Sequence, residues 1–457
     1  MSFSPTLFRG RRYAVVGLGR NGAAAAQALA GMGADIVVWD DSAETRSAAL
    51  FPLHDPALGY AGFDALVLSP GVPHHLPAPH PAALAAKAAG IPILSDAELL
   101  FQAVRASGSQ ARFVGITGTN GKSTSTALLH HILIGAGPGI SIDSAAGGNL
   151  GTAALALPLL GDAGVYVLEM SSYMLERLTT LRFDVAALLN LSPDHIDRHG
   201  DMAGYARAKR HVFDRQQPGD TAVLGIDDDA TAAVARALRG PAVVTISGHR
   251  PAGVWSQDGV LRDAGGPILS MAEAPALPGP HNAQNAAAAT AMARALGVPD
   301  AAIVRGIASY PGLPHRQQRV AVLDGVAWIN DSKATNADAA ARAIGCYDRI
   351  IWIAGGMAKA GGIESLRPLL PRVAHALLIG RDAPILARTL DDAGIPCTVV
   401  GTLDAAVDAA RAFAQRLDAP TVLLSPACAS WDQFTGFEQR GDRFRDLVLG
   451  GAMRRTA

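Results

Sequence analysis

Cysteine and net charge are both scarce in this 457-residue chain. The three cysteines, Cys346, Cys397 and Cys428, are far apart, so they form neither a disulfide framework nor the paired spacing of a zinc site. Lys and Arg total 39 against 40 Asp and Glu, and a net charge of −1 creates no basic field for nucleic acid. We therefore expect a protein of a reducing compartment that binds no nucleic acid.

Long hydrophobic runs are missing as well. The Ala- and Leu-rich stretch 153–168 comes closest to the roughly 18 apolar residues of a membrane span, and Asp162 interrupts it. Arginines in residues 1–12 are not followed by an apolar segment, so we expect no secretory signal. The composition is that of a globular protein, and the length suggests roughly three domains. We expect a cytoplasmic monomer that does not associate with membranes.

The most informative motif is the stretch 113–124, which reads Phe-Val-Gly-Ile-Thr-Gly-Thr-Asn-Gly-Lys-Ser-Thr. An apolar strand, a glycine-rich turn and a helix opening with Lys-Ser form a phosphate-binding loop, in which backbone N–H groups and the helix N-terminus bind the anion. Lys122 would reach the β- and γ-phosphates, and the Ser123 hydroxyl would ligate Mg²⁺. Five residues rather than four separate Gly115 from Gly121, so the motif is a P-loop variant. A glycine-rich turn with a chance Lys-Ser is the alternative.

A second nucleotide-type motif lies near the N-terminus. The segment 17–22 reads Gly-Leu-Gly-Arg-Asn-Gly between a predicted strand, 13–16, and an Ala-rich helix, and Asp40 follows the next strand. This is a full G-x-G-x-x-G with an acid at the expected distance. The motif indicates a dinucleotide or nucleoside diphosphate on a helix N-terminus without identifying the nucleoside, so an NAD-dependent oxidoreductase remains an alternative.

Two predicted strands of the central region end in polar side chains. Strand 165–168 ends at Glu169 and strand 185–189 ends at Asn190, on the edge where open α/β sheets bind ligands. Glu169 is placed to hold Mg²⁺, unless it is only an acid near the start of a helix. His195, Asp197 and His199 follow within five residues. Zinc is one interpretation of these three, a second magnesium site or phosphate contact fits the P-loop better, and polar loop residues are the simplest.

Three further polar groups have two interpretations each. Lys209 lies on a basic amphipathic helix, and composition alone favours a solvated face. The acidic run 227–229 could resemble a metal cluster, but a helix N-cap is favoured. Asn282 and Asn285 lie one turn apart on a helix face, where they could contact an adenine edge or cap the helix.

The C-terminal third contains another alternation of strands and helices. After a linker at 311–314, Asp324-Gly325 joins two strands in a predicted hairpin, and further strands continue to residue 424. We therefore predict an α/β protein with three domains, at residues 1–108, 109–312 and 313–457.

These motifs resemble those of the Mur ligase family over nearly the whole chain. The resemblance implies an N-terminal Rossmann-like UDP-binding domain, a central P-loop ATPase-type domain and a C-terminal Rossmann-like domain. The segments that carry it are Gly115-Ile-Thr-Gly-Thr-Asn-Gly-Lys-Ser-Thr, Gly148-Asn-Leu-Gly, Leu168-Glu-Met-Ser-Ser, Asp194-His, His281-Asn-Ala-Gln-Asn, His315-Arg and Asn330-Asp-Ser-Lys-Ala-Thr-Asn.

The resemblance implies an ATP-dependent ligase of peptidoglycan precursor synthesis. ATP phosphorylates a carboxylate of a UDP-linked muramoyl substrate, an amino acid amine attacks the acyl phosphate, and ADP and phosphate are released. The N-terminal glycine motif, 330–336, and the stretch from Ser425 through Phe437-Glu-Gln-Arg-Gly favour the branch that adds D-glutamate to UDP-N-acetylmuramoyl-L-alanine. The Asp-Asn-Pro-Arg motif of the diaminopimelate- or lysine-adding relatives is absent. A sister Mur ligase or a folylpolyglutamate-synthase-like ligase, with L-glutamate as a possible acceptor, is the alternative.

The resemblance also implies roles for individual residues. Catalysis falls to Lys122, Glu169, His195 and Lys209. Ser123 and Glu169 would hold one Mg²⁺, and His195 with a carbamylated Lys209 (N6-carboxylysine) a second. ATP would contact Gly118, Thr119, Asn120, Gly121, Lys122, Ser123, Thr124, Asn282, Asn285, Arg316, Asp331 and Lys333. The UDP substrate would contact Gly17, Leu18, Gly19, Arg20, Asn21, Asp40, Ser69, Gly71, Asn149 and His195. The amino acid would contact Thr335, Lys359, Ser430 and Phe437.

The chain departs from the family pattern at three places. Met174 stands where the family usually has Gln, Trp431 replaces an aliphatic residue, and an Asp is missing between Gly356 and Lys359. The last two lie beside the implied amino acid pocket, so they bear on which glutamate stereoisomer is accepted.

Overall fold

The computed structural model describes residues 1–135, 142–149, 151–359 and 361–453, so the motif residue Leu150 lies outside the described residues. Within those ranges, no helix is both long and apolar enough to cross a membrane. The chain divides into two compact units, Met1–Ala274 with Pro280–Ser309 and Pro275–Gly279 with Tyr310–Ala457. The first unit contains two β-sheets and the second contains one.

A parallel four-stranded sheet forms the N-terminal part of the first unit. Its strands are β1 (Arg12–Val16), β2 (Asp35–Trp39), β3 (Ala65–Leu68) and β4 (Ile93–Leu94), in the spatial order β2-β1-β3-β4. The helices are α1 (Arg20–Gly31), α2 (Ala43–Ser47), α3 (Pro81–Ala88) and α4 (Asp96–Ala106). The central strand β1 is almost entirely buried, as expected for a strand covered on both faces.

The second sheet carries the P-loop. Its nine strands run in the order β13-β12-β11-β10-β9-β8-β5-β7-β6, and only the β11-β12-β13 end is antiparallel. The strands are β5 (Arg112–Thr117), β6 (Ser144–Gly148), β7 (Val165–Glu169), β8 (Val185–Leu188), β9 (Thr221–Gly225), β10 (Ala242–Ser247), β11 (Val254–Gln257), β12 (Val260–Asp263) and β13 (Gly266–Ser270). The helices are α5 (Lys122–Ile134), α6 (Ser172–Leu175), α7 (Ile196–His199), α8 (Met202–Arg210), α9 (Asp229–Ala237), α10 (Pro280–Ala295) and α11 (Asp300–Ser309).

The two sheets of the first unit share one hydrophobic core. Phe113 and Tyr166 of the second sheet belong to the same buried cluster as Val15 of the first and Leu100 of α4. The Glu98 carboxylate, also on α4, accepts hydrogen bonds from the backbone N–H groups of residues 179, 180 and 181 at 2.9–3.0 Å. Helix α4 therefore packs in the core of both sheets and is hydrogen-bonded to the loop before β8.

The second unit is built around a six-stranded sheet. Its strands are β14 (Gln318–Leu323), β15 (Val326–Asn330), β16 (Ile350–Gly355), β17 (Val373–Ile379), β18 (Cys397–Gly401) and β19 (Thr421–Leu424), in the order β14-β15-β19-β16-β17-β18. The predicted hairpin at Asp324-Gly325 is present, with both residues at positive φ. The helices are α12 (Ala337–Ile344), α13 (Ala383–Asp392), α14 (Leu403–Arg416) and α15 (Phe437–Met453).

The predicted α/β class with parallel sheets is confirmed. The strands predicted at 13–16, 165–168 and 185–189 and on both sides of Asp324-Gly325 are present. Strands β6 and β10 to β13 were not predicted. The boundaries at 108 and 312 remain a prediction.

Candidate active site

The P-loop lies between β5 and α5, as the sequence predicts. Gly118 and Gly121 have φ of 151° and 83°, values that favour glycine. The Lys122 ammonium folds back onto the loop, where Nζ donates to the carbonyls of Gly118 and Thr119, each at 2.9 Å. The cation therefore lies at the mouth of the loop, at the N-terminus of α5, where an anion is favoured.

Carboxamides from two neighbouring elements hold the loop in shape. The Asn190 side chain accepts from the Asn120 N–H at 2.9 Å and donates to its carbonyl at 3.2 Å. Asn285 accepts from the Ser125 hydroxyl at 3.2 Å and donates to Asn282 Oδ1 at 3.0 Å. Both α10 asparagines are thus buried against α5, and Asn190 is a loop-supporting residue that the sequence analysis did not assign to the site.

Gly121→Ala is expected to raise the KM for ATP by about tenfold, because a left-handed non-glycine residue costs roughly 1–2 kcal/mol. A Cβ atom here would also lie 2.3 Å from Asn285 Oδ1, so the loop or α10 must shift. Steady-state kinetics with varied ATP measure the effect. Gly90→Ala is the matched control, since Gly90 has φ of 69° with open space around its Cβ position. Equal effects of both substitutions would contradict the steric argument.

Glu169 ends β7 beside this loop. Its side chain is buried, and Oε1 accepts from Asn149 Nδ2 at 2.9 Å. The second oxygen, Oε2, is buried with no hydrogen-bond partner among the residues that the structure describes, an unfavourable state for a carboxylate unless a cation or another donor binds there. Ser171, not Glu169, caps α6, accepting from Met174 N at 3.3 Å. The oxygen donors of Ser123, which is also buried, and of Glu169 fit a hard cation such as Mg²⁺.

Lys209 does not lie on a solvated face, and the interpretation drawn from composition is wrong. The residue is 2% exposed, and Nζ donates to the Gly118 carbonyl at 2.8 Å and approaches Thr117 Oγ1 at 3.3 Å. Burial, reinforced by the charge of Lys122, holds the pKa of the ammonium well below its usual value, although Asp194 and Glu169 oppose the shift. The neutral form of the amine is therefore favoured at this position, directly beneath the P-loop, more than it is for an exposed lysine.

The three candidate metal ligands after β8, His195, Asp197 and His199, do not form one site. His195 is half-exposed, and burial lowers its pKa; the charge of Asp194 opposes this shift, while those of Lys209 and Lys122 add to it. His199 is buried, with Nε2 2.9 Å from Ser172 Oγ, and Asp197 is exposed. His195 therefore lies within electrostatic reach of both lysines, whereas His199 is bonded elsewhere.

Zinc gains no support from this geometry. In the part of the chain that the structure describes, no three His, Cys, Asp or Glu side chains are grouped to hold a metal ion. The acidic run 227–229 is a cap, as favoured: Asp228 accepts from Thr231 N at 2.8 Å.

The N-terminal glycine motif adjoins the Glu169 region within the first unit. Arg20 donates to the Asn149 carbonyl at 3.4 Å, and Asn21 Nδ2 to the Gly148 carbonyl at 3.3 Å. Since Asn149 also bonds Glu169, the motif and the buried carboxylate belong to one site. The Asp40 carboxylate shapes the motif by accepting from Leu18 N at 2.7 Å.

The loop after β3 closes over the same motif. The Ser69 hydroxyl donates to the Gly17 carbonyl at 2.5 Å. A Cβ atom at Gly17 would lie 2.8 Å from the Ser69 Cβ, and one at Gly22 would lie 2.8 Å from the Ser69 hydroxyl oxygen. Gly71 lies farther along the same loop, where its carbonyl accepts from Arg198 at 3.0 Å. The glycines are thus needed for the close approach of Ser69.

In the second unit, Asp331 follows β15 in a buried position. It accepts from the Ser425 hydroxyl at 2.8 Å and from Gln317 N at 3.1 Å. Burial raises the pKa of this carboxyl to about 7, against the opposing effects of these hydrogen bonds and of the Arg316 charge. Arg316 and Asp331 are thus neighbours, as their shared assignment to ATP requires.

Of the implied amino acid residues, Thr335, Lys359 and Ser430 lie on loops after strands of the third sheet, and Phe437 begins α15. The Lys333 ammonium, two residues before Thr335, lies 3.8 Å from the centre of the Phe437 ring. Met357 and Ala429 form a β-bridge, which brings the loop of the exposed Lys359 beside that of the buried Ser430. Trp431, directly after Ser430, is exposed.

Arg440 is a residue of this region that the sequence analysis missed. It is 1% exposed and donates to the Ser332 hydroxyl and carbonyl at 2.9 and 2.8 Å and to the Cys428 carbonyl at 3.2 Å. It thereby joins the loop of Asp331 to that of Ser430. Its place in the Phe-Glu-Gln-Arg-Gly stretch was the available signal.

Comparisons with known proteins agree with this arrangement. The family described as Mur ligase middle domain matches residues 116–293. A UDP-N-acetylmuramoylalanine–D-glutamate ligase of Paramagnetospirillum magneticum is 50% identical over 455 residues, covering 97% of this chain and 98% of its own. The enzyme of that name from Rhodospirillum rubrum is 48% identical, with coverage of 98% and 97%.

Solved structures of lower identity show the same fold. The UDP-N-acetylmuramate–alanine ligase MurC of Thermotoga maritima gives a TM-score of 0.60 at 16% identity, covering 96% of this chain and 99% of its own. MurF of Acinetobacter baumannii gives 0.56 at 18% identity, covering 87% and 93%.

Proposed function

The chain belongs to the Mur ligase family, among the UDP-N-acetylmuramoylalanine–D-glutamate ligases, and we propose that it joins D-glutamate to UDP-N-acetylmuramoyl-L-alanine at the expense of ATP. The observation that carries this proposal is the convergence of Lys122, Glu169 and the buried Lys209 around one P-loop. The substrate pair comes from the relatives at 48–50% identity. Cell-wall precursor synthesis is thus the process served.

The reaction must bring two anions together. An oxygen of the substrate carboxylate attacks the γ-phosphorus, and the bond from that phosphorus to ADP breaks. The glutamate nitrogen then attacks the acyl carbon, loses a proton, and inorganic phosphate leaves. No side chain forms a covalent bond in these steps, so the residues contribute orientation and charge neutralisation. Lys122 and the N–H groups of the P-loop offset the charge of the transferring phosphoryl group.

Magnesium fits the buried oxygen donors on the P-loop side. Ser123 and Glu169 would hold one ion, and the unpartnered Oε2 of Glu169 is the atom that favours it. When bound, Mg²⁺ neutralises part of the charge on the phosphate and carboxylate oxygens. A second ion would need an anion at Lys209. The neutral Lys209 amine reacts with CO₂ to form an N–C bond and loses a proton, giving a carbamate, and His195 completes this second ligand set.

The remaining assignments follow the same plan. The UDP pyrophosphate lies on Gly17–Gly22 with Ser69 and Gly71, and Asn149 faces the muramoyl group. ATP lies on the P-loop with Asn282 and Asn285. Arg316, Asp331 and Lys333 are assigned to ATP through the family resemblance. The amino acid is held by Thr335, Lys359, Ser430 and Phe437. Both nucleotide substrates are cytoplasmic metabolites, so we place the enzyme in the cytoplasm. We propose that it is a monomer with three domains, at residues 1–108, 109–312 and 313–457.

A substrate panel tests the proposal. Purified protein with ATP, Mg²⁺ and UDP-N-acetylmuramoyl-L-alanine is offered D-glutamate, L-glutamate, L-lysine or meso-diaminopimelate, and phosphate release and product mass are measured. We expect release only with D-glutamate and a product heavier by one glutamyl residue. Release with another amino acid in its place would redirect the assignment to a sister ligase, and saturable NADH binding would overturn the assignment of Gly17–Gly22 to UDP.

A further inference from the structure

Arg177 is a buried cation for which the proposed reaction has no use. It follows α6 of the second sheet and is 2% exposed, and within the described residues its guanidinium is hydrogen-bonded to backbone carbonyls and a histidine rather than to a carboxylate. Burial lowers its pKa to about 10, with Arg198 adding to the shift and Glu176 opposing it, so the guanidinium stays charged at neutral pH. A buried charge of this kind is costly unless its hydrogen bonds are satisfied, so its partners indicate its purpose.

Those partners all lie in the loop after β3 of the first sheet. Arg177 Nη1 donates to the carbonyls of Leu68 at 2.6 Å and Ser69 at 3.0 Å, and Nη2 donates to the Val72 carbonyl at 2.6 Å. The planar guanidinium thus binds three carbonyls of one short segment at once, whereas a lysine ammonium has no such planar set of donors. We call residues 68–76 the substrate loop.

His74 completes the set of acceptors. Its Nδ1 lies 3.4 Å from Arg177 Nε and 3.3 Å from Nη2, so Nδ1 accepts and Nε2 carries the proton. Nε2 points toward Glu176 Oε2 at 3.8 Å. Burial and the neighbouring Arg177 charge lower the pKa of His74 to about 4, although Glu176 opposes the shift, which keeps the ring neutral and able to accept.

The loop held in this way contacts the N-terminal glycine motif directly. The Ser69 hydroxyl bonds the Gly17 carbonyl, and its side chain fills the space above Gly17 and Gly22. Glu176, adjacent to Arg177, lies between His74 and His199: its other oxygen, Oε1, is 3.3 Å from Nδ1 of His199, on the segment that carries His195. The end of α6 therefore contacts both the substrate loop and the His195 segment.

We propose that Arg177 is a positioning residue that holds the substrate loop in the conformation that binds the UDP-linked substrate. It also keeps that loop in a fixed position relative to the Glu169 region, after which α6 begins. Arg177 touches no reacting atom and acts through Ser69 and Val72. The inference deepens the proposed function and rests on it for its kinetic consequences. The effect on the loop itself does not depend on turnover.

Arg177→Lys tests the proposal, because it retains the charge and removes the planar set of donors. We expect faster amide hydrogen exchange in residues 69–76, and a KM for UDP-N-acetylmuramoyl-L-alanine raised by about tenfold or more, since charged hydrogen bonds are lost. The KM for ATP and kcat should change by less than about twofold. Arg177→Met is the stronger variant, and Arg177→Lys alone decides the matter if Arg177→Met does not fold.

Arg105→Lys is the matched control. Arg105 also donates to two backbone carbonyls, those of Ser109 at 2.8 Å and Ala111 at 3.0 Å, but it has no contact with the substrate loop. Unchanged exchange in 69–76 for Arg177→Lys would overturn the inference, as would equal rises in both KM values. Failure of the proposed function would look different: the wild-type protein would not turn over this substrate pair, while the exchange result would still decide the role of Arg177 in the loop.

Discussion

Lys122→Ala is expected to lower kcat by about 10³-fold, the upper range for removing one preorganised stabilising donor. The ammonium lies on the Gly118 and Thr119 carbonyls at the start of α5, where the phosphates of ATP are proposed to bind. Without it, one cation fewer offsets the repulsion between the transferring phosphoryl group and the substrate carboxylate. Phosphate release under saturating substrates measures the loss.

The KM for UDP-N-acetylmuramoyl-L-alanine should change little in the same variant, because Lys122 is assigned to ATP alone. Lys87→Ala is the control, since Lys87 is an exposed lysine in the last turn of α3. Turnover of Lys122→Ala within a factor of about two of wild type would contradict the role of Lys122 in phosphoryl transfer.

Lys209→Ala should lower kcat by about 10²–10³-fold, the usual effect of removing one preorganised electrostatic group from an active site. The buried amine bonds the Gly118 carbonyl and is proposed to become an anionic metal ligand. Short carboxylates such as formate or acetate should restore part of the activity of Lys209→Ala, because they supply anionic oxygens to the vacated space. Lys209→Arg should stay inactive and resist rescue, since a guanidinium forms no carbamate.

The pH dependence follows from the direction of the Lys209 shift. Its lowered pKa keeps the amine neutral over a wider range than for an exposed lysine, so carbamate formation is lost only as the pH falls through that lowered value. Wild-type activity should also fall when CO₂ is removed and recover with bicarbonate. Arg210→Ala, an exposed position on the same helix, is the control. An unmodified Lys209 by intact mass in active protein, together with an unresponsive Lys209→Ala, would contradict the carbamate.

Most strands with large apolar side chains were predicted from the sequence, and the fold class with them, although β10 (Ala242–Ser247) was missed. Strand β6 (Ser144–Gly148) could not, because its Ala and Gly residues have weak strand preference and it pairs only through the neighbouring β7. The P-loop and Glu169 were predictable because glycine spacing and a strand end are local signals. Their placement beside the N-terminal motif followed from the family resemblance, and residues 20, 21, 148 and 149 supply the contacts.

Side chains that act across large separations in sequence could not be predicted from local patterns. Lys209 looks like an ordinary solvated lysine because its helix is basic and amphipathic, and only the family resemblance gave it a role. Packing against the P-loop, more than 80 residues earlier, buries it. Arg177 and Arg440 bond backbone carbonyls of distant loops, and backbone carbonyls leave no mark on a sequence pattern. The fold and the residue types of the site could therefore be predicted from the sequence, whereas the groups that hold its loops could not.

The core shared by the first two sheets has a consequence for biosynthesis. Leu100 and Val104 of α4 pack in one cluster with Tyr166, Leu188 and Leu224. When residues 1–106 have left the ribosome, the side chains that the second sheet contributes to this cluster have not yet been translated, so α4 completes its packing only after more than a hundred further residues follow. During translation the N-terminal part therefore exposes apolar surface that the finished protein buries.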